Sequence, residues 1–249
     1  MIKKLGLVVI ALGMMSCEET KKEAVPADDV VAEVEQTPIK SILTAEEQAD
    51  MSPDEIIGRL KKGNENFVSN NLTQRDHSEQ RRLAMIGQYP KAIVLSCVDS
   101  RVPVEDVFDL GIGDIFVARV AGNIENDDIV GSMEFATAVA GSKVVIVMGH
   151  TACGAVKHAI DNTDAASMDM NALQNLLNEI KPSMAGVENT GEVSSKNLEF
   201  TNSVIRNNAM QTVKDIRETS PKMASLENEG KIKIVAAVYD MATGKVKFM

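Results

Sequence analysis

Three short apolar runs limit what this chain can fold into: Ala92–Ser96 (AIVLS), Ile115–Arg119 (IFVAR) and residues 144–149 (VVIVMG). Successive positions in each are apolar, so neither face can be left in water, and such runs suit strands of a parallel sheet covered on both sides. Helical spacing fills the gaps between them. Ile129, Val130, Met133, Ala136 and Thr137 recur at helical spacing across residues 127–140, and residues 152–160 read as a short helix after the third run. Longer helical segments follow near residues 170–180 and 194–219, then a fourth strand over 231–239. Residues 241–248 read as its hairpin partner, turning at Thr243–Gly244. Upstream, Ser52, Pro53 and Glu55 form a helix start, with Ser52 as N-cap and Glu55 closing a capping box. Ile56, Ile57, Leu60 and Phe67 then share one helical face, residues 70–78 break the pattern, and residues 79–86 resume it. This alternation predicts an α/β fold: a mainly parallel β-sheet of four strands plus an antiparallel edge strand, flanked by helices.

In open parallel sheets ligands bind where strands end at their carboxyl edge. Cys97 follows the first run directly, and His150–Thr151–Ala152–Cys153 follows the third, so the two segments are expected to converge. Taken alone, Cys97 and Cys153 could equally be two buried free thiols. With His150 they form a Cys2His set, which suits zinc. The domain offers no third cysteine, and His77 and His158 have no motif around them. Three protein ligands and an open position are the catalytic arrangement, in which bound water loses a proton at about pH 7. Cys153 also stands at a helix start, where the dipole favours a thiolate. Asp99 and Arg101, two apart beside Cys97, can form a compact pair. On spacing alone such a pair is usually a surface contact. Next to a metal ligand, Asp99 would accept a hydrogen bond from the reacting water and Arg101 would hold it ionised.

Composition narrows the substrate. The chain has 249 residues, 44% hydrophobic and 25% charged, enough for one large domain or two small ones. Its formal charge of −10 gives nucleic-acid phosphate no electrostatic reason to bind. With no Trp and 3% aromatics, an aromatic-lined groove is not expected either. A small, neutral or weakly charged substrate fits best.

The N-terminus reads as an address. A basic start, Lys3–Lys4, precedes an apolar and glycine run over residues 5–15 that closes on Ser16–Cys17. A bilayer core of about 30 Å needs roughly 20 residues of helix, so this run fits a secretory signal better than a span. It resembles a bacterial lipoprotein signal, with Cys17 the lipidated first mature residue, although Met14 and Met15 replace the Leu and small residue usual there. Plain secretion and a buried core helix are the other readings. The expected organisation is a signal peptide at 1–16, a lipidated Cys17 with a flexible tether to residue 40, and a domain over 41–249. That places the protein in a Gram-negative cell envelope, lipid-anchored in the periplasm or outer membrane, or secreted or periplasmic if Cys17 is not lipidated.

The two motifs together resemble the β-class carbonic anhydrases. Cys97–Val98–Asp99–Ser100–Arg101 matches Cys-x-Asp-x-Arg, and His150–Thr151–Ala152–Cys153–Gly154 matches His-x-x-Cys-Gly. The likeness extends through Val102–Pro103, Arg119–Val120–Ala121–Gly122–Asn123 and Glu134–Phe135–Ala136. It implies one zinc ion per chain on Cys97, His150 and Cys153, and reversible hydration of carbon dioxide to bicarbonate by zinc-bound hydroxide, with the Asp99–Arg101 dyad beside it. It also implies homodimers or larger homo-oligomers with active sites near the subunit interface. Gln88 matches a glutamine of plant-type members that hydrogen-bonds substrate oxygen; in isolation it would be a turn residue. Phe116 matches an apolar pocket position, and Val98 and Ala121 would line the same pocket. Val98, Val120 and Phe135 depart from the usual Ser or Ala, Asn and Tyr. Val94 stands where bicarbonate-regulated bacterial members carry Trp, which puts that regulation in doubt.

Three other readings use the same residues. The same zinc site would serve a hydrolase of carbon disulfide or carbonyl sulfide. A catalytically silent zinc-binding assembly protein would keep the fold without needing the dyad. A redox module would pair Cys97 with Cys153 as a reversible disulfide and bind no zinc.

Overall fold

The structure is a computed structural model and describes residues 37–188 and 191–249. The expected signal peptide, Cys17 and most of the expected tether lie outside the described residues. Residues Thr37–Met249 make one compact unit.

Among the described residues five strands form one sheet: β1 (Ala92–Ser96), β2 (Ile115–Arg119), β3 (Val144–His150), β4 (Lys233–Tyr239) and β5 (Val246–Phe248). Their order is β2-β1-β3-β4-β5. The first four pair in parallel and β5 runs antiparallel to β4, as the sequence predicts. β1 and β3 are buried along their whole length, which is why both read as unbroken apolar runs. Among the described residues β2 lies at one edge of the sheet, and it is only partly covered.

Helices close both faces. α1 (Ala45–Asp50), α2 (Pro53–Val68) and α3 (His77–Leu83) precede the sheet, and α4 (Val104–Val107) follows β1. α2 starts as expected: the Ser52 hydroxyl accepts from Glu55 N–H while Glu55 accepts from the Ser52 N–H at 2.7 Å. Its Ile56 and Leu60 join Val104, Val107 and Phe108 against Val94, Ile146 and Met148 on one sheet face. α5 (Asp127–Glu134), α8 (Leu198–Thr219) and α9 (Pro221–Asn228) cover the other face. There Val130, Met133, Val213 and Ile216 pack on Ile93, Leu95, Val145 and Val147. α6 (Gly154–Ile160) and α7 (Asn171–Ile180) form a third cluster with Phe200, Val204 and Ile205 of α8, and it contains Cys97 and Cys153. Burying a side chain of this size contributes about 1.5–3 kcal/mol, so these clusters carry most of the fold's stability.

Several boundaries differ from expectation for local reasons. The expected 127–140 helix is α5 followed by a π-helical turn over Phe135–Val139, where the Thr137 hydroxyl donates to Met133 O at 2.8 Å. The expected 152–160 helix starts only at Gly154, because Ala152 is left-handed (φ 59°) and Cys153 is extended. α8 starts at Leu198 behind an Asn197 cap, four residues later than periodicity suggests. α1, α4 and α9 were not anticipated. α4 is a single turn, too short to show a period. α9 carries a legible signal, Ser220–Pro221, in which the Ser220 hydroxyl accepts from Met223 N–H.

Candidate metal centre

A chain running β1, β2, then across β1 to β3 reverses its winding direction between β1 and β3. In a sheet of this order the crevice lies at the carboxyl ends of that pair. Ser96 lies level with Met148, so Cys97 leaves β1 beside the end of β3, where His150 is the last strand residue. The left-handed turn at Ala152 then brings Cys153 back toward both. The ligand atoms of Cys97, His150 and Cys153 all lie within 4.8 Å of one another, and all three residues are buried.

The geometry of this cluster fits a metal ion. The two sulfurs are 4.0 Å apart. A disulfide would need about 2.05 Å, whereas two zinc–sulfur bonds of about 2.3 Å at a tetrahedral angle put sulfurs roughly 3.8 Å apart. His150 Nδ1 lies 2.9 Å from the Thr151 carbonyl, which can only accept, so the ring proton sits on Nδ1. That leaves Nε2 as a lone pair, and among the described residues Nε2 is buried with no hydrogen-bond partner. An orphaned buried acceptor between two thiols is costly unless something cationic occupies the space between them. The thiols point the same way. Cys97 is drawn below the ordinary thiol range, chiefly by the hydrogen bond from Cys153 and against its own burial, while Cys153 is pushed up by Cys97 beside it and by burial. Left to itself the pair keeps one proton, and both sulfurs could ionise together only beside a positive charge, which a metal ion would supply.

Asp99 and Arg101 form a two-pronged pair: Arg101 Nε donates to Oδ1 at 2.9 Å and Nη2 to Oδ2 at 2.7 Å. The Arg101 backbone N–H adds a third bond to Oδ1 at 3.0 Å. These contacts, the guanidinium first, hold the Asp99 carboxyl well below the usual carboxylate range despite partial burial. Oδ2 lies 3.8 Å from His150 Nε2, so the carboxylate borders the space the three ligands enclose. Val98 is exposed, and Ala121 lies in the turn Ala121–Asn123 that covers Cys97.

Sequence reasoning missed three further contributors. Arg119, the last residue of β2, donates from Nε to Cys97 O at 3.1 Å and from Nη2 to Asp99 O at 2.6 Å, clamping the ligand loop. The Gly122 N–H donates to Cys97 Sγ at 3.3 Å. Thr151 accepts from Met241 N–H through its hydroxyl at 2.9 Å, tying the His150 loop to the β4–β5 hairpin. All three act through or upon backbone atoms. The signals available were the run Arg119–Val120–Ala121–Gly122–Asn123 and the place of Thr151 inside His150–Thr151–Ala152–Cys153, which matched the family without revealing a role.

Gln88 and Phe116 are elsewhere. Phe116 is level with Ile93, four residues before Cys97 and so roughly 13 Å short of it along the strand. Gln88 precedes β1, near Lys91, whose N–H donates to Asp114 O ahead of β2. Both belong to the amino end of the sheet, and one chain does not bring them to its own Cys97.

Comparisons with known proteins agree with this site. Residues 92–246 match the family model described as carbonic anhydrase. A carbonic anhydrase of Mycolicibacterium smegmatis is 30% identical over 194 residues, covering 76% of this chain and 89% of that protein. The solved β-carbonic anhydrase CcaA superposes with a TM-score of 0.61 at 22% identity, over 78% of this chain and 93% of that one. A tetrameric β-carbonic anhydrase of Sordaria macrospora gives 0.58 at 20% identity, over 68% and 85%. With both motifs converging on one buried Cys–His–Cys cluster, this chain belongs to the β class of the carbonic anhydrase family.

Proposed function

We propose that the protein reversibly hydrates carbon dioxide to bicarbonate and a proton at a single zinc ion held by Cys97, His150 and Cys153. The observation that carries this reading is His150 Nε2, buried without a partner between two thiols and bordered by an ionised Asp99. Zinc bound there supplies Lewis acidity that brings a coordinated water's pKa to about 7. The chain's own residues do the positioning. Asp99 is kept anionic by Arg101, so its Oδ2 can only accept, and it fixes the orientation of the reacting water by taking its hydrogen bond. Arg119 holds the Cys97 and Asp99 carbonyls, which keeps the carboxylate in register with the metal ligands. Val98 and Ala121 offer apolar surface beside the centre for a gas with no charge to pair.

Gln88 and Phe116 act, on this reading, in the site of a second copy. The amino end of β1 and β2 carries Met85 and Ile86, 86% and 88% exposed, and Phe116 packs edge-on against the half-exposed Phe135 at 6.1 Å between ring centres. These exposed apolar groups support a homodimer or larger homo-oligomer, in which the donor Gln88 would reach the partner's centre. Cys17 would anchor the enzyme to a membrane by lipid. Among the described residues no helix is long and apolar enough to cross one. Loss of membrane association on Cys17→Ala is the expected result there.

Stopped-flow carbon dioxide hydration with metal analysis tests the central reading. About one zinc per chain and rapid hydration are expected. Metal-loaded protein that turned over carbon disulfide but not carbon dioxide would reassign the substrate, and a metal-free protein with two titratable thiols would end the metal reading.

A further inference from the structure

The buried face of α8 is apolar except at a few positions, and Asn208 is one of them, only 2% exposed. A carboxamide in such a place needs partners for both ends. It has them. Nδ2 donates to Gly122 O at 2.8 Å, and Oδ1 accepts from the Ser183 hydroxyl at 3.2 Å. Ser183 is itself buried, and its carbonyl accepts from Asn207 Nδ2 at 2.6 Å, which pins it to the same helix.

Gly122 is the link to the metal centre. Its N–H donates to Cys97 Sγ and its carbonyl accepts from Asn208, so the residue is held from two sides. Only two soft dihedrals separate those groups, so fixing the carbonyl restricts where the N–H can point. A side chain here would be strained and would displace Ile180. The Gly122 φ is 73°, and a Cβ would fall 2.5 Å from Ile180 Cδ1. The backbone passes through a slot between Ile180 and Cys97 and depends on Asn208 for its orientation.

We propose that Asn208, backed by Ser183, is a positioning residue that aims the Gly122 N–H at the Cys97 sulfur and thereby tunes the thiolate as a metal ligand. An N–H···S hydrogen bond draws electron density off the sulfur, which sets the energy of its charge-transfer band, and holds the sulfur lone pairs in a fixed direction, which sets how well it ligates the metal. Outer-shell partners of this kind typically govern metal affinity as well as ligand orientation. The assignment rests on the metal-centre reading of the preceding section.

Cobalt-substituted protein tests it. In Asn208→Ala the thiolate-to-cobalt charge-transfer band should move to longer wavelength, and metal affinity, measured by chelator competition, should fall roughly tenfold. Ser183→Ala, which deletes one hydroxyl, should shift both in the same direction by less. If Asn208→Ala does not fold, Ser183→Ala decides the question alone by the same two readouts. Variants with lower unfolding temperatures but wild-type band position and wild-type affinity would overturn the proposal and leave Asn208 a structural tie. Wild-type protein that binds no metal would instead sink the metal-centre reading, so the two failures are distinguishable.

Discussion

At the carboxyl end of the sheet, Cys97, His150 and Cys153 are buried; Arg119 and Gly122 bond the Cys97 loop, and the Thr151 N–H ties the end of β3 to Tyr239 O. At the amino end, Met85 and Ile86 lie almost wholly in solvent and Gln88 is exposed. One end is finished within the chain; the other presents apolar surface and a donor with nothing of its own to act on. The contrast teaches that the catalytic unit on this reading is larger than one chain. On the proposed function the carboxyl end would hold the metal and the dyad, and the amino end would lend substrate contacts to a neighbour.

The strongest test removes a ligand at the finished end. Cys153→Ser or His150→Ala should abolish both metal retention and hydration, measured by metal analysis and stopped flow. Persistent turnover in either would break the contrast outright. Next in size, Asp99→Asn keeps the shape but halves the acceptor capacity beside the metal, and kcat/KM should fall between about 10- and 100-fold with metal content unchanged. At the other end, Gln88→Ala should cost roughly tenfold, the loss of one hydrogen bond at ~1.4 kcal/mol. Its sharper form is complementation. Mixing Gln88→Ala with Cys153→Ser protein and allowing subunits to exchange should restore activity above the mean of the two, because a mixed pair assembles one whole site. Activity that stays at that mean would return Gln88 to a merely local role.

The smallest expected effect separates two carboxylates at the same end of the sheet. Asp99 is held low by its guanidinium, whereas burial pushes Glu125 above its ordinary value, in a cavity of about 750 Å³ shared with Asp127, Asp128 and Glu179. A carboxyl raised on folding favours the folded state while protonated and works against it as pH climbs through the raised value. Glu125→Gln should therefore stabilise the protein slightly near neutral pH and change nothing below the ordinary carboxylate range. Thermal unfolding at pH 7.5 and pH 4 checks the sign; equal shifts at both would refute it.

The fold was legible because β1 to β4 are short apolar runs bounded by polar residues. β1 and β2 match the expected bounds to the residue, and β3 and β4 to within two, although only β1 and β3 are buried along their whole length. What escaped was short or local: the single turn of α4, and the π-helical turn that ends α5. The site was legible where side chains carry the chemistry, and its ligands and dyad stood in two compact motifs. Arg119, Gly122 and Asn208 were not legible as contributors, because they act on carbonyls or through an N–H. A backbone partner leaves no residue-type signature at the other end of the bond. Gln88 shows the opposite case. The motif match could name it, but no pattern along one chain tells which subunit's centre it faces.

Cys97 and Cys153 lie 56 residues apart in the chain yet 4.0 Å apart in space. A metal bonded to both closes that loop as a covalent cross-link would, removing conformational freedom from the unfolded chain worth about 4 kcal/mol for a loop of this length. Everything from β2 through β3 lies within the loop. The ion would then stabilise the whole central sheet as well as the reaction site, provided it leaves when the chain unfolds only as slowly as a staple would. Chelation should consequently lower the unfolding temperature by several degrees. Protein stripped of metal and refolded without it should regain the β1–β3 pairing more slowly than protein refolded with zinc.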